Sequence, residues 1–287
     1  MLERAGSAGN TVEIHDPSGS QEIVELGRKE HLVLGNFIPE SDSSVKLEKA
    51  ITSPDASGLL KWDISSDAGT TSRLFGRRGG IPMVCAVDND DIDDLAVLKS
   101  RVLSFESSES GALGSISLRT LGSISFVQCL NDGTSLSDKL YVLHSRAPGS
   151  TSSAKLFLSV FDLKTGGLER TVDALSRRAA GIAFADVNAD GADDLCYYTK
   201  RGQISCPLLD GSVVNITAPR LRDLTTGTVQ LSDNSFAQRF LILSSDRKVL
   251  GIGRDGALDL LLPNLSPAAS NGTVRRRGKI GSFGRCR

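Results

Sequence analysis

The stretch Phe184–Tyr198, FADVNADGADDLCYY, sets four acids and an asparagine within nine residues and then turns at once into a Leu/Cys/Tyr run. Asp186, Asn188, Asp190 and Asp194 stand at positions 1, 3, 5 and 9 of a D-x-N-x-D-G-x-x-D loop, with Gly191 at 6 and Ala192 at 7. Odd positions bring side chains to one side, the glycine permits a sharp turn, and Ala192 offers its backbone carbonyl, an oxygen set suited to the hard cation calcium. A helical calcium hand would need a glutamate at position 12 and flanking helices. Here position 12 is Tyr197, and the runs on both sides have the character of short strands. The alternative reading is a plain Asp-rich turn.

Working outward, the same rhythm returns along the chain. Short apolar runs end in an Asp/Asn/Ser turn near Asn36 (HLVLGNF), Asp88 (MVCAVDN), Asn131 (ISFVQCLND), Asp186 (IAFADVN), Asp233 (TVQLSDN) and Ser282 (KIGSFG), at successive intervals of 52, 43, 55, 47 and 49 residues. A second apolar landmark comes after several of them: DLAVL at 94–98, KLYVL at 139–143, DLCYY at 194–198 and RFLIL at 239–243. One unit, IAFADV, DDLCYYTK, GQISCPLL and SVVNITAP, divides into four short strands separated by Gly- and Asp-bearing turns. The best helix candidate, LERTVDALSRRAAG at 168–181, reads instead as an outer strand plus turn. A four-stranded unit of this length, repeated five or six times, predicts a β-propeller, because no unit can bury both of its faces alone.

These residues carry a resemblance. The repeat FADVNADGADDL resembles the FG-GAP (VCBS-type) repeat of integrin-α-like β-propellers, a family that places a calcium loop between the first and second strands of a blade. The resemblance implies calcium held by Asp186, Asn188, Asp190, Ala192 and Asp194. The second repeat, AVDNDDIDDLAVL, is similar but eroded: Asp88, Asp90, Ile92 and Asp94 fall at positions 3, 5, 7 and 9, Ala86 stands where the first ligand should be, and Asp91 replaces the glycine. The other repeats keep the strand rhythm and lose most ligands. The expected role of the ion is structural, neutralising carboxylates that otherwise repel one another.

The expected architecture is therefore all-β, one propeller over residues 1–287 with six blades, or seven if one repeat is too worn to see. Residues 1–10 are expected to be disordered. Repeats span about 31–80, 81–122, 123–179, 180–227 and 228–274, and a composite blade from 275–287 plus 11–30 closes the ring.

Composition narrows the function. The net charge is −1, so no global field points to nucleic acid, and aromatics at 5% disfavour a base-stacking platform. No run of eighteen apolar residues offers a spanning helix, and the N-terminal MLERAGSAGN lacks the apolar core of a signal peptide. The chain is read as a mature or excised piece of an extracellular or lumenal protein rather than a cytosolic one. Three sequons, at Asn215, Asn264 and Asn271, would permit glycosylation there. Of five cysteines, Cys196 and Cys206 flank the turn Lys200-Arg201-Gly202 and either face each other in a disulfide or remain buried thiols.

No catalytic constellation emerges. The three histidines, His15, His31 and His144, lie far apart and read as strand or surface residues. GIGRDG at 251–256 matches a dinucleotide fingerprint formally, but the run ALDLLLPNL after it stops at Pro263, too short for the required helix, so a hairpin turn is the better reading. Arg275, Arg276, Arg277, Lys279, Arg285 and Arg287 form the one strong charge asymmetry, read as edge-strand protection ahead of an anion site. Trp62 reads as core before sugar platform. The functional expectation is a non-catalytic scaffold, calcium-stabilised, that recognises another protein through loops at one end. The alternatives are a lectin, with a glycan as ligand, and a polysaccharide lyase built on a propeller.

Overall fold

A computed structural model describes residues 2–5, 10–15, 21–38, 48–66, 69–88, 90, 92–130, 137–145, 156–175, 179–185, 187–188, 194–208, 212–230, 236–244, 249–252 and 258–262. Among them every regular element is a β-strand, and no helix is long and apolar enough to cross a membrane. The described strands form six antiparallel sheets that succeed one another along the chain. The first has three strands, β1 (Leu2–Ala5), β2 (Asn10–His15) and β3 (Gln21–Leu26). The next is β4 (His31–Gly35), β5 (Glu48–Pro54), β6 (Leu59–Ser66) and β7 (Gly69–Arg77). Then come β8 (Ile81–Cys85), β9 (Asp94–Lys99), β10 (Val102–Glu106) and β11 (Leu113–Ser117). The fourth sheet is β12 (Ile124–Leu130), β13 (Lys139–His144), β14 (Leu156–Asp162) and β15 (Leu168–Leu175). The fifth is β16 (Ala179–Ala185), β17 (Asp194–Thr199), β18 (Gln203–Pro207) and β19 (Val213–Thr217). The sixth is β20 (Leu221–Gln230), β21 (Phe236–Ser244), β22 (Val249–Ile252) and β23 (Leu258–Leu262). Every four-stranded sheet is a simple meander.

The strands gather into two compact units, Lys29–Arg177, which holds β4 to β15, and Met1–Arg28 with Arg178–Cys286, which holds the remaining sheets. In the first unit β4 lies against β8 and β8 against β12, so the first strands of successive sheets are neighbours; in the second, β16 lies against β20. Apolar layers fill the space between successive sheets. Ala50, Leu60, Trp62 and Ile64 pack with Leu95 and Val97. Cys85, Ala96 and Leu103 pack with Leu140, Val142 and Phe161. In the other unit Cys196, Ile204 and Ile216 pack with Phe240 and Ile252.

Sequence patterning explains the order of strands within a sheet. A strand covered on both faces can be apolar throughout, and β13 (KLYVLH) and β14 (LFLSVFD) are almost wholly buried. A strand with one wet face alternates, as β6 (LLKWDISS), β10 (VLSFE) and β18 (QISCP) do. Among the described side chains the fourth strands β7, β11, β15 and β19 are the most exposed, with Leu74, Leu113, Leu168 and Val213 all turned to solvent.

Two expectations need correction. Residues 1–10 are not wholly irregular: β1 pairs with β2 in the register Leu2↔Glu13 to Ala5↔Asn10, because the edge of the β2–β3 hairpin offers its unpaired backbone groups. The fifth repeat begins earlier than 228, since β20 already starts at Leu221 and runs ten residues to Gln230. The proposed closing strand near 279–284 lies outside the described residues, as does the basic cluster 275–287. The segment 168–175 is strand β15, as its sequence implied, and GIGRDG leads from β22 towards strand β23 rather than a helix.

Candidate functional site

The candidate ligands fall between the first and second strands of two sheets, β8–β9 and β16–β17, and backbone hydrogen bonding builds the bases of these connections. At the end of a first strand the chain leaves its ladder, and the freed N–H groups need acceptors. The residue that opens the second strand supplies one. Glu48 Oε2 accepts from Phe37 N at 2.6 Å and Ile38 N at 2.9 Å. Asp94 Oδ2 accepts from Val87 N at 2.6 Å, and Asp194 Oδ2 from Val187 N at 3.2 Å. Since Gly35↔Glu48, Cys85↔Asp94 and Ala185↔Asp194 are paired, the three acids occupy one equivalent position.

The residue just before the second strand reaches the preceding sheet. Asp93 Oδ2 accepts from Asn36 N at 2.8 Å while Asp93 N donates to Asn36 O at 2.6 Å. Asp138 repeats this one sheet further on: its Oδ2 accepts from Ala86 N at 3.0 Å, and its own N–H donates to Ala86 O at 2.7 Å. These reciprocal latches hold the bases of the loops of three successive sheets side by side. Gly35 makes room for the first, since a Cβ there would stand 2.9 Å from Asp93 Oδ2 and from the Phe37 ring. Sequence reasoning placed Asp94 and Asp194 but missed Glu48, Asp93 and Asp138. The available signal was an acid at or just before the start of four second strands: Glu48 in β5, Asp94 in β9, Asp138 before β13 and Asp194 in β17.

The second acidic loop is the one seen in full at its ligand positions. Asp94 is fully buried, and burial pushes its carboxyl above the ordinary aspartate range, against the pull of N–H donors from Val87 and Ser108. Ser108 N reaches Asp94 Oδ1 at 2.5 Å and Ser108 Oγ reaches Asp90 Oδ2 at 2.8 Å. Ser107 Oγ donates to Asp88 Oδ2 at 2.7 Å, and Ile92 N to Asp90 Oδ1 at 3.0 Å. Asp90 is pushed up by burial and then by the adjoining Asp88 carboxyl. Asp88 Oδ1 is a buried oxygen with no hydrogen bond. This donor chemistry suits calcium; among the described residues no group of three His, Cys, Asp or Glu side chains is placed to hold an ion. The serines and amides do the holding here. In the first acidic loop Asn188 is exposed and Asp194 is half-buried against Val187, whereas Asp186, Asp190 and Ala192 lie outside the described residues.

Two disulfides bind the loop-bearing strands. Cys196–Cys206 crosses the β17–β18 hairpin with a Cα separation of 4.1 Å, deciding between the two readings of that pair. Cys85–Cys129 joins β8 to β12 across successive sheets at 5.2 Å, a link that a separation of 44 residues did not reveal. Trp62 and His144 are packed into the core, and His31 is exposed. Trp62 is sealed, its Nε1 donating to Phe75 O at 3.0 Å, so it presents no face to a sugar. His144 is buried on β13 with Nε2 2.9 Å from Ser159 Oγ and its ring stacked on Phe157.

No protein-family model matches the chain, and no curated protein matches it. Solved structures do. A chain of the nidogen/laminin complex aligns with a TM-score of 0.55 at 9% identity, covering 91% of this chain and 93% of that one. That neighbour is a β-propeller. The fold is of the β-propeller class. A BBS1N chain from its complex with ARL6DN, soaked with mercury, aligns over 91% of this chain and 90% of that one at 14% identity, with a TM-score of 0.47, too low to bear on the fold.

Proposed function

We propose that this protein is a non-catalytic β-propeller scaffold that binds another protein through the loops joining first and second strands. The observation that carries this reading is the pair of reciprocal latches, Asp93 with Asn36 and Asp138 with Ala86, which align the bases of three such loops into one continuous edge. The similar propeller chain comes from a complex of nidogen with laminin, a protein–protein assembly, and this accords with the reading. The finer proposal is a six-bladed ring of FG-GAP (VCBS) type, closed by segments from both ends of the chain. An extracellular or lumenal setting is supported by two disulfides among four described cysteines, which persist in oxidising compartments. Calcium belongs to the same reading, held at Asp186, Asn188, Asp190, Ala192 and Asp194 and supported by their spacing.

Affinity purification with the intact chain should return one stable protein partner, and Asp90→Lys with Ile92→Lys should weaken its capture per folded molecule, the folded fraction being read from a melting curve. Capture by immobilised glycans, or cleavage of acidic polysaccharide, would replace the scaffold with a lectin or a lyase. Calcium should raise the melting temperature and EDTA reverse it, with Asp190→Ala abolishing most of the difference. An EDTA-insensitive wild type would remove the ion from the proposal.

A further inference from the structure

We infer that Asn215, on the outer strand β19, is an N-glycosylation site, taking an oligosaccharide on its side-chain nitrogen. Asn215-Ile216-Thr217 satisfies the acceptor pattern, with a residue other than proline in the middle. The strand's alternation sorts this tripeptide correctly for modification. Asn215 and Thr217 face solvent while Ile216, 4% exposed, points into the apolar layer. The sheet order is β16-β17-β18-β19, so β19 is a terminal strand. Its partner on the inner side, β18, sets Ser205 opposite Asn215, and Ser205 Oγ donates to Asn215 Oδ1 at 2.8 Å. That bond uses the carbonyl oxygen and orients the amide, and among the described residues Nδ2, the atom that would carry the sugar, has no protein partner. Val213, 51% exposed, lies on the same face two residues away, so a glycan at Asn215 would shield an apolar side chain and block the addition of a further strand to this edge.

The same sheet carries the Cys196–Cys206 disulfide, an independent mark of the compartment in which such transfer occurs. The donor is a lipid pyrophosphate-linked oligosaccharide. The Asn215 Nδ2–C1 bond forms as the C1–oxygen bond to the pyrophosphate breaks; the lipid pyrophosphate leaves with the electron pair, and one amide proton is lost. The inference rests on the extracellular or lumenal setting proposed above, and the test separates the two.

The full chain should be expressed through the secretory route of a eukaryotic cell, and its peptides analysed after peptide N-glycosidase treatment in heavy-oxygen water. The expected result is heavy-labelled aspartate at position 215 and a band shift on deglycosylation that Asn215→Gln and Thr217→Ala both reduce by one glycan. Mass spectrometry of the wild type does not depend on either variant folding. Unmodified Asn215 in a secreted chain with all four strand cysteines blocked to alkylation overturns the site alone. Unmodified Asn215 in a chain whose cysteines are freely alkylated overturns the site and the compartment together.

Discussion

Asp162 shows how one side chain sets a turn. Its Oδ1 accepts from Thr165 N at 2.6 Å in the β14–β15 connection, and this N–H, ahead of other contributions, holds the carboxyl below the ordinary aspartate range. A depressed carboxyl contributes stability that is fully present above the unfolded value, about 3.9, and is lost as pH falls through the folded one. Asp162→Asn should therefore melt earlier than wild type at neutral pH, with the gap closing as pH falls below the ordinary aspartate range; melting curves across acid pH check it. Gly202 is the second residue-scale case. It sits at φ +94° before β18, and a Cβ there would stand 2.0 Å from Ala218 O, whose own residue donates its N–H to Gly202 O at 2.7 Å. The equivalent position before β10 is Arg101, at φ +63°, where Leu118 N donates to Arg101 O at 2.8 Å and the guanidinium reaches Leu121 O. The conformation is thus required even where the residue is not glycine. Gly202→Ala should lower stability by more than about 1 kcal/mol through strain and overlap with backbone, measurable as a shift in denaturant midpoint.

At the scale of elements, the latches and the staple do different work. Asp138 answers the buried Ala86 N–H, so Asp138→Ala leaves that donor unmet and should cost about 1–3 kcal/mol. Asp138→Asn keeps an acceptor of the same shape and should cost much less; equal losses in the two variants would show that the latch works through charge rather than the hydrogen bond. Cys85–Cys129 ties two sheets across 44 residues, whereas Cys196–Cys206 closes a hairpin of separation 10. On chain entropy the longer link should contribute about 4 kcal/mol and the shorter about 3. Paired Cys→Ser variants should therefore melt in that order, the Cys85/Cys129 pair lower. The period of the strands and the Cys196–Cys206 facing were legible in the sequence because hairpin contacts are local. The Cys85–Cys129 link and the Asp138 latch were not, because each joins neighbours whose register depends on how whole sheets stack.

For the molecule as a whole, the proposals meet at the loops. If calcium supports the ring, EDTA should lower the melting temperature of wild type and leave Asp190→Ala nearly unmoved. If the loops bind a protein, that affinity should track changes at Asp90 and Ile92 more than changes on the outer strands. The acidic motif carries two meanings at once. Asp94 and Asp194 are positions of a ligand pattern, and they are also the acceptors that end the first strand's unmet N–H groups. Sequence spacing alone cannot separate the two, since both require an acid at the same residue.

What the sequence by itself determined was the strand rhythm, the four-stranded repeat and the β-propeller class, because alternation, apolar runs and Gly/Asp turns are local properties that recur at each repeat. What only the tertiary structure decided was how those repeats are joined. Glu48, Asp93 and Asp138 became caps and latches, Trp62 became core, and Cys85 met Cys129. Those outcomes depend on the distance between residues on different strands or sheets, and that distance exists only once the strands have paired and stacked.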